Sequence, residues 1–108
     1  MALLRPIRVV DEIIPESNSI KRKLLFVNQS GIISQEAYFS DDRVTLFHNG
    51  KLYDWYGREV KLDDDISRIV RFYSGVESYN GFRASEEFIV EKKDNRVAIA
   101  ALEYQCPE

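Results

Sequence analysis

The sequence predicts an α+β fold. A mainly antiparallel, strongly twisted β-sheet, either open or curled into a half-open barrel, packs against a single α-helix at about residues 64–74. Two observations predict the sheet: short apolar runs separated by turn-forming residues, and an Asn-Gly pair at 49–50 between alternating runs. A third, apolar residues at helical spacing after residue 65, predicts the helix. The 108 residues suit one domain, spanning 1–108.

Three strands joined by turns are predicted in the first third of the chain. They lie at residues 7–10, 23–27 and 32–39. Pro6 has no N–H to donate to a neighbouring strand, so the first strand belongs at a sheet edge. Pro15 and the polar residues after it mark the first turn. Asn28–Gly31 is the second turn, and it joins the next two strands as a hairpin.

A β-hairpin at residues 43–56 is the strongest local signal. Asn49 and Gly50 favour a two-residue type I′ turn, because both positions of that turn need positive φ. The turn places His48 opposite Lys51, and side chains then alternate between the two faces. The face predicted to be core carries Val44, Leu46, Tyr53 and Trp55. The other carries Thr45, Phe47, Leu52, Asp54 and Tyr56, so either both faces are covered or one presents an aromatic patch.

The helix is predicted from spacing and from its ends. Apolar residues follow the i, i+3, i+4, i+7 pattern of one helix face, at Ile66, Ile69, Val70 and Tyr73. An aspartate among residues 63–65 supplies the N-cap, and the others suit the positive end of the helix dipole. Gly75 is a suitable residue after the last turn.

A closing hairpin is predicted from residues 87–92 and 96–104. A turn at Asp94-Asn95 would place Val90 opposite Ile99. Three small residues in the last segment leave a helical interpretation of it open, namely Ala98, Ala100 and Ala101. The preceding residues 75–85 show no periodicity, and loops of that kind in compact domains are often functional.

Composition bounds the class of protein. Hydrophobic residues make up 44% and charged residues 31%, values typical of folded globular proteins. The net charge of −3 argues weakly against general nucleic-acid binding. Cys106 is the single cysteine, which rules out an intramolecular disulfide and favours a reducing, cytoplasmic location. No apolar run approaches the roughly 18 residues of a membrane-spanning helix, so no membrane association is expected.

The sequence shows no recurring catalytic or cofactor-binding motif. His48 is the single histidine, and its place beside a hairpin tip predicts an exposed structural residue rather than a general base. The glycines are dispersed, so no phosphate-binding loop is formed. The aspartates at 63–65 lack the spacing of a calcium loop. We therefore expect no enzymatic activity, no cofactor and no metal.

The first functional hypothesis is a non-enzymatic protein-binding or regulatory module, or an accessory subunit of a larger assembly. Aromatic residues and arginine dominate binding hot spots. The candidate partner-binding residues are Tyr53, Trp55, Tyr56, Tyr79, Phe82 and Arg83. The alternative is that these rings belong to the core. The expected partner is another protein, including a second copy paired through an edge strand or an aromatic face.

Two other functions stay open. A single-stranded nucleic-acid-binding domain would use the basic run Lys21, Arg22 and Lys23 together with sheet aromatics. Such a run is also common on a solvated edge strand, where lysine discourages aggregation. A small-ligand-binding or enzymatic domain would need an enclosed pocket between helix and sheet.

Overall fold

A computed structural model describes residues 4–75, 79–80 and 83–105 of the chain. Within them it contains three antiparallel sheets and no helix. The first sheet has the order β1-β2-β3, with strands β1 (Arg5–Ile14), β2 (Ser19–Val27) and β3 (Ile33–Tyr38). The second is a short hairpin of β4 (Leu46–His48) and β5 (Lys51–Tyr53). The third contains β6 (Ile66–Ser74), β7 (Tyr79–Asn80), β8 (Arg83–Lys92) and β9 (Val97–Gln105), and the other three all pair with β8.

The predicted helix at 64–74 is wrong, and with it the α+β class, because this segment is strand β6 in an all-β arrangement. The aspartates at its start form a turn instead of a helix cap: the Ile66 amide donates to the Asp63 carbonyl at 3.0 Å. The segment is rich in β-branched and aromatic residues, which favour strands once a partner strand is present. That partner is β8.

A three-residue repeat in β6 explains the error. The pairing with β8 shifts by one residue between Ile66 and Arg68, between Ile69 and Arg71, and between Phe72 and Ser74. Each shift leaves one extra residue, as in a β-bulge. The residues that reach the apolar cluster shared with β8 are Ile66, Ile69 and Phe72. Core residues therefore recur every third position, which is closer to the helical period of 3.6 than to the strand period of 2.

The other predicted strands are confirmed, with one register corrected. The strand predicted at 96–104 is β9 (Val97–Gln105), so the helical alternative for that segment is wrong. Val90 pairs with Ala98 rather than with Ile99. The turn has three residues instead of two, since the Lys92 amide donates to the Arg96 carbonyl at 2.8 Å and Asn95 has a φ of 68°. A three-residue loop that ends in a left-handed residue is a common hairpin connection.

The hairpin of β4 and β5 lies between the two larger sheets. Asn49 and Gly50 both have positive φ, 51° and 79°, and His48 pairs with Lys51 as predicted. One face contributes Leu46 and Tyr53 to a cluster with β2 residues of the first sheet. The other contributes Leu52, which is 1% exposed, to a cluster with β6 and β8. Both hairpin faces are therefore covered. Val44 and Trp55, which were predicted to share the core face of the hairpin, lie beyond the ends of these two strands.

A buried ion pair attaches the segment before β4 to the third sheet. The Nε of Arg43 lies 2.6 Å from Oε2 of Glu86, and both side chains are almost fully buried. The Arg43 guanidinium also lies 3.7 Å from the Phe72 ring centre and donates to the Ser74 carbonyl. Glu86 accepts from the Val44 amide and from the Thr45 hydroxyl, each at 2.9 Å.

Candidate protein-binding surface

The loop after β5 contains Trp55 and Tyr56 and holds Trp55 against the first sheet. Oδ1 of Asp54 accepts hydrogen bonds from the Tyr56 and Arg58 amides, both at 2.9 Å, which closes the loop locally. Gly57 has a φ of 85°, and a Cβ there would lie 2.9 Å from Cδ1 of Leu24 in β2. Glycine is therefore required both by the backbone conformation and by the close approach to the sheet.

The indole of Trp55 is half-buried and is held from two sides. It makes an edge contact with Phe39, with ring centres 5.2 Å apart. The Arg22 guanidinium lies 4.2 Å from the indole centre, close enough for a cation–π interaction. Nη1 of Arg22 also donates to the Trp55 carbonyl at 2.8 Å. Contacts within the chain, to Phe39 and Arg22, therefore fix the position of the Trp55 side chain.

Arg22 is in turn oriented by Asp11 on the neighbouring strand. Its Nε and Nη2 donate to the two carboxylate oxygens of Asp11 at 2.8 and 3.0 Å. This bidentate geometry restricts the orientation of the guanidinium more than a single hydrogen bond would. The hydrogen bond from Arg22 also lowers the pKa of Asp11. Asp11, Arg22 and Trp55 thus form one connected polar and aromatic network.

Two isoleucines continue this face beyond the network. Ile13 and Ile20 are paired across β1 and β2. This pair lies two residues closer to the connecting turn than the pair of Asp11 and Arg22. Directly opposite residues share a face, and alternate residues of a strand return to it, so both isoleucines lie on the same face as Arg22. They are 64% and 69% exposed. We call Ile13, Ile20, Arg22 and Trp55 the ribbon face.

These isoleucines are exposed because the core face of the first sheet extends beyond the residues that pack on it, which come from the β4–β5 hairpin and the segments on either side of it. The last residue of β3 that pairs with β2 is Tyr38, opposite Lys23. Beyond that point β1 and β2 continue as a two-stranded ribbon to the pair Ile14–Ser19. The face that carries the core residues Leu24 and Phe26 therefore runs past the elements that cover it.

The structure separates the predicted site residues. Tyr53 lies in the core, 3% exposed, with its ring centre 5.3 Å from that of Phe26, and burial raises its pKa. Trp55 and Tyr56 lie together in the loop after β5, where Tyr56 is 56% exposed. Tyr79 belongs to β7 and Arg83 to β8, whereas Phe82 lies outside the described residues.

The predicted basic run is paired with carboxylates. Nitrogen-to-oxygen distances are 3.8 Å for Lys21–Asp41, 2.8 Å for Arg22–Asp11, and 3.2 and 3.8 Å for Lys23 with Glu36 and Glu12. Each cation of the run thus has an acidic neighbour. A phosphate backbone would have to compete with these carboxylates for the positive charge.

His48 is less exposed than predicted. Its ring stacks on Phe26 with centres 4.4 Å apart, and its Nε2 lies 2.8 Å from Oε1 of Gln35. Burial lowers the pKa of His48, which favours the neutral ring. Across the described parts of the chain, no three histidine, cysteine or acidic side chains are grouped to hold a metal ion.

A shallow groove of about 330 Å³ lies beside β5 and β6. Its apolar residues include Leu52, Val60 and Leu62, and its charged rim includes the ion pair of Lys51 with Glu59 at 3.8 Å. The groove is open to solvent, whereas the predicted small-ligand site required an enclosed pocket between helix and sheet.

Sequence reasoning missed Ile13 and Ile20 because it ended the first strand at residue 10. The alternation is visible in the sequence. One face of the strand pair carries Val9, Asp11 and Ile13 of the first strand and Ile20, Arg22 and Leu24 of the second. A strand pair that continued to the turn near Pro15 would have put both isoleucines on the core face. Their exposure depends on how far the residues packed on this face extend along it, which the pattern does not reveal.

Comparison with known proteins gives no family for this chain: no protein-family model matches it, and neither does any curated protein or solved structure. Nowhere in the described segments does the chain form a helix with the length and apolar character needed to cross a bilayer.

Proposed function

We propose that this protein is a non-enzymatic protein-binding module that engages its partner through the ribbon face. The observation that carries the proposal is the continuation of a core face beyond its cover, at Ile13 and Ile20. Contiguous exposed apolar surface with a polar rim is typical of interaction sites. A partner seated there would extend the packing that Trp55 and Arg22 begin.

The energetics favour an added layer at this position. A two-stranded ribbon is only marginally stable in water without further packing. Full burial of one isoleucine side chain contributes about 1.5–3 kcal/mol, so covering both would contribute several kcal/mol. Trp55 and Arg22 are residue types that often dominate binding energy, and their mutual contacts reduce the entropy that binding would cost.

The nucleic-acid alternative has less support. Its three cations already have carboxylate neighbours, and Arg22 is committed to both Asp11 and Trp55. A partner that presents apolar side chains suits the ribbon face better than a polyanion does.

The test compares partner binding by three forms of the full chain. They are the wild type, the double variant Ile13→Ser/Ile20→Ser, and the control Ile32→Ser. Ile32 is 63% exposed, which matches the ribbon isoleucines, but it lies outside the ribbon face. Partners are captured from native lysate and identified by mass spectrometry, and each affinity is then measured with purified components.

The proposal predicts that the double variant weakens binding by at least about tenfold, while Ile32→Ser binds like the wild type. Both variants should keep the wild-type midpoint of unfolding, because the substituted side chains are exposed. A partner that binds a folded double variant as tightly as the wild type would remove the ribbon face from the proposal.

A further inference from the structure

The outer edge of β9 is a second surface with a defined chemistry. Within the described residues β9 pairs with β8 alone, so its other edge presents backbone N–H and C=O groups without strand partners. The nine residues pair with β8 without a register shift. Glu103 is the one charged residue among them. A long, regular, weakly charged edge is suited to receive another strand.

The other edge strands carry features that hinder such pairing. β6 has three register shifts, which bend a strand and interrupt its regular edge. β1 contains Pro6 and a shift between Pro6 and Arg8, and it carries four charged residues. β3 is six residues long and is also shifted. Unlike β1, β3 and β6, strand β9 has no register shift, and it carries one charged residue, so nothing in its pairing or charge hinders the addition of a strand.

Apolar side chains flank this edge on the outer face of the third sheet. Val97 and Ile99 alternate along β9 and are 67% and 50% exposed. Ile89 of β8 lies directly opposite Ile99 on the same face. A strand added to β9 would place its own side chains beside these residues, so the edge offers apolar contacts as well as hydrogen bonds.

We propose that the occupant of this edge is a second copy of the chain, whose β9 pairs antiparallel with β9 of the first across a two-fold axis. The pairing is centred on Ala100, so that Val97 lies opposite Glu103 and Ile99 opposite Ala101 of the other copy, and it joins the two third sheets into one continuous sheet. An antiparallel arrangement that preserves the faces brings the outward residues Val97 and Ile99 of one copy against the outward residues of the other.

Charge complementarity favours this antiparallel self-pairing. The turn before β9 holds Lys93 and Arg96 with a single acid, Asp94, so it is net positive, and the side chain of Arg96 is 73% exposed. The far end of the strand carries exposed Glu103. Antiparallel pairing places the positive end of each copy beside Glu103 of the other, whereas parallel pairing would place like charges together.

This surface lies on the third sheet and the ribbon face lies on the first, so each proposal stands or fails without the other. The first experiment measures the dissociation constant of self-association by sedimentation velocity over a wide range of concentrations. It compares the wild type with Ile99→Lys and with the control Ile33→Lys. The two isoleucines are 50% and 51% exposed, and both lie in edge strands.

The expected result is a wild-type dimer, a dissociation constant raised at least about tenfold by Ile99→Lys, and no change with Ile33→Lys. A wild type that stays monomeric at every concentration overturns the proposal. So does an Ile99→Lys variant that dimerises as well as the wild type.

Charge reversal tests the antiparallel orientation with exposed residues that do not affect folding of the core. Arg96→Glu and Glu103→Lys should each weaken the dimer, because each places like charges at the same ends of the interface. The double variant should recover most of the loss. Two single variants whose effects simply add in the double variant would contradict the antiparallel pairing.

Discussion

Arg43 and Glu86 form the most deeply buried ion pair in the described structure. Burial raises the pKa of Glu86, while hydrogen bonds from the Val44 amide and the Thr45 hydroxyl and the charge of Arg43 lower it. Arg43 also lies over the Phe72 ring. A buried pair of this kind adds little net stability compared with an apolar pair, but it becomes costly when one partner is removed.

The substitution Glu86→Gln therefore should destabilise the protein by about 3–5 kcal/mol, because it leaves the Arg43 charge buried without its carboxylate. The free energy of unfolding in denaturant measures the effect. Glu87→Gln is the matched control, since Glu87 follows directly in β8 and accepts a hydrogen bond from the Ser74 hydroxyl at 3.1 Å. Its expected cost is below about 1 kcal/mol. Equal losses would show that the buried pair has no special role.

At the scale of a single element, β6 shows how a bulged strand imitates a helix. A helix would bury Ile69 and Val70 on one face, because they occupy the i+3 and i+4 positions after Ile66. The strand separates them: Ile69 is 7% exposed in the core and Val70 is 38% exposed as the extra residue of a bulge. The two neighbours therefore distinguish one structure from the other.

We expect Ile69→Ala to cost about 2–4 kcal/mol, the usual penalty for truncating a buried isoleucine. Val70→Ala should cost less than about 1 kcal/mol, since its side chain is already partly in water. Chemical denaturation of the two variants provides the comparison. Similar losses at both positions would support the helix and contradict the three-residue repeat of β6.

The whole molecule depends on the hairpin that its two larger sheets share. Leu46 and Leu52 occupy different strands of this hairpin and belong to different apolar clusters. A hairpin of two three-residue strands cannot order itself in water. If the hairpin unfolds, each larger sheet therefore loses the apolar contacts that the hairpin makes with it.

The prediction at this scale is a single cooperative unfolding transition that involves both sheets. Leu52→Ala, which removes contacts from the cluster of the third sheet, should lower stability by about 2–5 kcal/mol. Residues of the first sheet should lose protection in the same transition. Hydrogen exchange measured strand by strand would reveal this, and separate transitions for the first and third sheets would contradict the assignment of residues 1–108 to one domain.

Short-range features were predictable because their causes lie within a few residues. Asn49 and Gly50 readily adopt the positive φ that a type I′ turn requires, so they set the hairpin turn and the pairing of His48 with Lys51. The candidate site was predictable in part: residue type predicts Trp55, which belongs to the ribbon face, and Tyr56, which lies in the same loop but outside that face. Tyr53 had the same residue type but lies in the core. Residue type alone cannot tell which side of a strand will be covered.

The sequence by itself determined the turns, most strands and their antiparallel pairing, since these follow from local backbone preference and alternation. Tertiary structure alone decided three features. Pairing with β8 made residues 66–74 a strand, because hydrogen bonds to a neighbour outweigh a helical spacing of apolar residues. Packing on two sides made both hairpin faces core. The core face of the first sheet extends beyond the residues packed on it and leaves Ile13 and Ile20 exposed, because burial of a sheet face depends on where the element packed against it stops.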